Sequence, residues 1–61
     1  MSNKRNATAG VPVIVDYKHR EYQGQTTGNM DDWRRLEIKL DEPLDGMETI
    51  YAWISNVRVL S

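Results

Sequence analysis

Sixty-one residues, no cysteine and a net charge of −1 confine this chain to one small domain without disulfides or thiolate metal sites. A chain this short buries only about 60% of its unfolded surface, so stability must rest on close packing of a few aliphatic and aromatic side chains. The near-neutral charge argues against a dedicated nucleic-acid binder, and no apolar run approaches the roughly 20 residues that span a bilayer.

The polar start lacks an apolar signal core, and the missing cysteines fit a reducing compartment, so the chain reads as soluble and cytoplasmic. Residues 1–35 carry six basic against four acidic side chains, whereas residues 36–61 carry two against five. A fold that kept these halves apart would have a mildly basic and an acidic end.

Residues 1–10 are polar and aperiodic and read as a flexible tail, with a single domain over 11–61. In 11–17, Val11, Val13 and Val15 share one face of a first strand, and Pro12, which cannot donate to a ladder, has that strand begin at an edge or with the Pro12 nitrogen facing solvent. The polar stretch 18–23 reads as a loop. A short second strand is expected at 25–29, bracketed by Gly24 and Gly28.

The clearest strand is 33–40, where Leu36, Ile38 and Leu40 alternate with Arg35, Glu37 and Lys39. Pro43 and the Asp45-Gly46 turn dipeptide stop it. A return strand over 47–54 puts Ile50, Ala52 and Ile54 on one face and Thr49, Tyr51 and Trp53 on the other. A single tight 3-10 turn near Ser55-Asn56 precedes a short closing strand, and no stretch carries a helical apolar stripe. The reading is all-β: one small barrel of about five strands that seals its last edge.

Three segments carry a family resemblance. Val13-Ile14-Val15-Asp16-Tyr17 resembles the opening Ala-Leu-Tyr-Asp-Tyr strand of Src-homology-3 domains. Asp31-Asp32-Trp33 resembles the start of their tryptophan-bearing strand, and Ile54-Ser55-Asn56-Val57 their closing Pro-Ser-Asn-Tyr-Val segment. The resemblance implies a Src-homology-3-like barrel. It also implies a groove for proline-rich peptides, but Ile54 stands in place of the groove proline and Val57 in place of its tyrosine. Glu21-Tyr22-Gln23-Gly24-Gln25-Thr26 is similar to the Tyr-X-Gly-Gln-Thr-Gly turn of KOW-type modules, which bind RNA or protein.

Catalytic chemistry finds little support. His19 is the only histidine, lies between Lys18 and Arg20, and has no neighbouring carboxylate or hydroxyl to work with. The acids Asp31, Asp32, Asp41, Glu42 and Asp45 have no calcium-loop spacing and read as solubilising loop charges. No cofactor motif is present, so the expectation is a non-enzyme without metal or cofactor.

Aromatic residues are the better lead. The expected partner-binding surface is Tyr17, Trp33, Tyr51 and Trp53 with Arg34 and Arg35 at its rim, in a non-catalytic accessory or regulatory module with a protein partner. Nucleic-acid binding through Lys4, Arg5, Lys18 and Arg20 is the alternative, and a structural subunit or self-assembling oligomer the third. Chains of this size are common in phages and mobile elements. Sequence alone leaves open the partner, the oligomeric state, and whether Trp53 is core or surface.

Overall fold

Val13 and Val15 alternate with Pro12, Ile14 and Asp16, and that two-residue period makes a strand with its valines on one face, β1 (Pro12–Tyr17). The computed structural model describes residues 8–60. After β1 come β2 (Arg20–Met30), β3 (Leu36–Leu44), β4 (Met47–Ala52), a 3-10 turn (Ile54–Asn56) and β5 (Val57–Val59). The five strands pair antiparallel in one sheet of order β4-β3-β2-β1-β5.

The all-β expectation is met, but its closure is not. Strands β4 and β5 are the two edges of the sheet, and no ladder joins them.

Each turn has a local cause. Asp45 and Gly46 both take positive φ, 51° and 82°, giving the two-residue hairpin turn that matches strand twist. Lys18 and His19 do the same at 51° and 69°, so Tyr17 pairs directly with Arg20 and the loop expected over 18–23 is mostly strand.

Strand β2 runs through both glycines that were expected to bracket it. At Gly24 a Cβ would collide with the Lys39 carbonyl and come within 2.9 Å of Ile38 Cγ2, so only glycine lets β2 lie this close to β3. Gly28, at φ 92°, sits where the β2–β3 register shifts between Thr26 and Met30. The start of β3 also moves: 33–35 belong to a turn, and the strand continues to Leu44. Pro43 does not end it. That residue falls where the β3–β4 register shifts, so its missing N–H breaks no regular ladder.

The core lies on one face: Val13, Val15, Leu36, Ile38, Leu40, Ile50 and Ala52 are buried, with Val11, Tyr17, Tyr22, Met30, Leu44 and Val57 packed around them. Ile54, expected inside, is 60% exposed because the chain leaves β4 and coils into the 3-10 turn. Among the described residues, Thr26 is the buried polar side chain. Its hydroxyl accepts from the Val11 N–H at 3.1 Å and donates to the Thr8 carbonyl, which ties the arm preceding β1 to β2. Most of the expected tail, residues 1–7, lies outside the described residues.

The two charge halves are not kept apart. Gly24 pairs with Leu40, which brings Glu21, Tyr22 and Gln23 beside Asp41 and Glu42 and places the Lys18-His19 and Asp45-Gly46 turns at the same ends of their neighbouring hairpins.

Candidate functional site

Asp31 builds the site. Its Oδ1 accepts the backbone N–H of Trp33 at 3.0 Å and of Arg35 at 2.8 Å, and its backbone carbonyl accepts from Arg34 at 3.0 Å. A short aspartate side chain that captures N–H groups ahead of it folds the chain into a turn. Arg34 absorbs the bend at φ 65°. Asp31 Oδ2 then accepts from Arg35 Nε at 2.6 Å, fixing the guanidinium as well as the backbone.

Three rings frame that guanidinium. Its Cζ lies 5.4 Å from the Trp33 ring centroid, 5.7 Å from Trp53 and 5.9 Å from Tyr51, all within the roughly 6 Å reach of cation–π attraction. Trp33 comes from the turn, Tyr51 from the outward face of β4, and Trp53 from just beyond β4. Exposure is 67% for Trp33, 50% for Trp53 and 41% for Tyr51, so the rings are a surface and not a second core.

Glu37 anchors the neighbouring edge. Its Oε1 accepts from the Thr27 hydroxyl at 2.6 Å and the Asn29 amide at 3.0 Å, and its Oε2 from the Tyr51 phenol at 3.3 Å. The Thr27 hydroxyl, then Asn29 and Tyr51, hold its carboxyl below the usual range against the effect of burial. At Asp31, burial pushes the carboxyl up, but the Arg35 and Trp33 N–H groups and the Arg35 guanidinium together outweigh it and leave it lowered. The Glu37 charge pushes the Tyr51 phenol up.

Of the partner residues expected from sequence, Trp33, Arg35, Tyr51 and Trp53 come together. Arg35 sits at their centre and not at the rim. Arg34 lies exposed in the same turn. Tyr17 does not join them: the alternation of β1 turns it to the core side, where its ring meets Tyr22 edge-on at 6.4 Å beneath Lys18 Nζ.

In the alternative set, Lys18 and Arg20 flank His19 at the β1–β2 turn, in an open cleft that Asp16 and Glu21 also line. Lys4 and Arg5 lie outside the described residues. Sequence reading missed Asp31 and Glu37 as organisers. An aspartate two residues before Trp33 and four before Arg35 was the available signal for the first. Glu37 draws its partners from β2 and β4, and no local pattern reveals that. Among the described residues no cluster of His, Asp and Glu is arranged to hold a metal ion. No protein-family model, curated protein or solved structure matches this chain.

Proposed function

We propose that this chain is a non-catalytic protein-binding module, an accessory or regulatory protein of the cytoplasm, whose partner site is Trp33, Arg35, Tyr51 and Trp53 with Arg34 at the rim. One observation carries the reading: three exposed aromatic rings converge on a single guanidinium on the outward side of the sheet. Tryptophan, tyrosine and arginine are the residues that dominate interface energetics, and a surface that needs no partner gains little from leaving Trp33 two-thirds exposed. The strand order, with β5 beside β1 and a 3-10 turn before it, supports a Src-homology-3-like strand arrangement in a sheet whose edges β4 and β5 stay unpaired with each other. A proline-rich ligand is not favoured, because Tyr17 is turned away and Ile54 replaces the groove proline.

The basic β1–β2 turn favours nucleic acid as the second reading, weakened by Asp16 and Glu21 in the same cleft. The test is affinity capture from lysate, with and without nuclease, using wild type, Trp53→Ala and a Lys18→Ala/Arg20→Ala double variant. The proposal expects a protein retained after nuclease and lost with Trp53→Ala. Retention that depends on Lys18 and Arg20 and vanishes with nuclease overturns it.

A further inference from the structure

The Arg35 guanidinium is only half used. Nε is committed to Asp31 at 2.6 Å, while among the described residues the two terminal nitrogens make no hydrogen bond. Its side chain is 34% exposed. A planar fork of N–H donors matches a carboxylate in two parallel bonds, and here the fork is held in place before any ligand arrives. Asp31 fixes one edge of the guanidinium, and the rings of Trp33, Tyr51 and Trp53 stand around it within 5.9 Å and shield part of it from water.

Resting on the partner site proposed above, we infer that the terminal nitrogens of Arg35 receive the carboxylate of an Asp or Glu side chain in a partner segment that is otherwise apolar. Charge complementarity selects this occupant over two others. A partner Lys or Arg would enter a ring cluster already filled by a cation, and the two acids that hold that cluster are taken: Asp31 by Trp33 and Arg35, Glu37 by Thr27, Asn29 and Tyr51. A nucleic-acid backbone would bring a row of phosphates past Asp31, Asp32 and Glu37, which repel it. One carboxylate brings a single negative charge to the fork and meets far less of that repulsion than a row of phosphates, and the exposed faces of Trp33 and Trp53 suit apolar residues on either side of it.

Selection of a phage-displayed random heptapeptide library on the whole chain tests this. Recovered peptides are synthesised with each acid replaced by its amide, and binding is measured to wild type, Arg35→Lys, Trp33→Ala and Trp53→Ala. Expected are peptides with an Asp or Glu between apolar residues that lose about tenfold or more on Asp→Asn or Glu→Gln and again with Arg35→Lys, which keeps the charge but loses the fork. The amide exchange stands even if Arg35→Lys fails to fold. Peptides that need Trp33 or Trp53 but carry no required acid, or carry Lys or Arg, overturn the carboxylate receptor and leave the aromatic partner site standing. Peptides indifferent to both tryptophans, or no peptides at all, overturn both.

Discussion

Asp31 shows how much one short side chain can organise. It folds the turn, aims Trp33 and holds Arg35, and read from sequence it was one more solubilising acid. Composition sees a charge, whereas geometry sees acceptors aimed at N–H groups two and four residues ahead. The same holds for Glu37, whose two oxygens collect three donors from the two neighbouring strands, β2 and β4. Both carboxyls sit below their ordinary range when folded, so the stability they contribute is fully present above the unfolded values near pH 4 and is lost as pH falls through the lowered ones. The thermal midpoint of the wild type should therefore drop on acidification below about pH 4. An Asp31→Asn/Glu37→Gln variant should start from a lower midpoint and lose less of it over the same range. Parallel curves for the two proteins would show that these carboxylates do not couple to folding.

Strands were legible where alternation was strict, and lost where glycine or a positive φ decided. Leu36, Ile38 and Leu40 announced β3, and all three are buried. Ile38→Asp should abolish cooperative unfolding, since it places a charge at a fully buried position, whereas Lys39→Asp should shift the midpoint little. The reverse order would put the strand register off by one residue. Alternation also turned Tyr51 outward, whereas Trp53, left open as core or surface, lies just beyond β4 and is half exposed. Gly24 and Gly28, however, look like turn punctuation and lie inside β2, one for a close approach and one for a register shift. The Lys18-His19 turn was illegible for the opposite reason: neither residue favours positive φ, yet both adopt it. Replacing them with Asn-Gly should remove a left-handed cost of about 1 kcal/mol or more, raising the midpoint by about 4–8 °C. An unchanged midpoint would mean that contacts such as Lys18 Nζ over the Tyr17 ring, 5.4 Å away, already offset the strain.

Across the whole molecule, one side of the sheet is committed to folding and the other to presenting Arg35 and its rings. Val13, Val15 and Ile38 are fully buried on the first, and Trp33, Tyr51 and Trp53 stand exposed on the second. If the outward face is the partner site proposed above, this division separates stability from binding, and Trp53 tests it. Sequence allowed Trp53 as core or as surface. Its 50% exposure and its position 5.7 Å from the Arg35 Cζ put it on the surface, within cation–π reach of that guanidinium. Truncating a core tryptophan costs roughly 3–5 kcal/mol, about the whole stability expected of so short a chain. Truncating an interface tryptophan commonly costs about 2 kcal/mol of binding, near a thirtyfold loss of affinity. Trp53→Ala should therefore melt cooperatively with a modestly lowered midpoint while losing its partner. The measurement is a pair of experiments on one sample, a thermal melt and a titration with whatever wild type retains after nuclease. A variant that no longer melts cooperatively would return Trp53 to the core and remove a wall of the proposed site. A variant that melts normally and binds undiminished would leave the fold as described and move the partner surface away from Arg35.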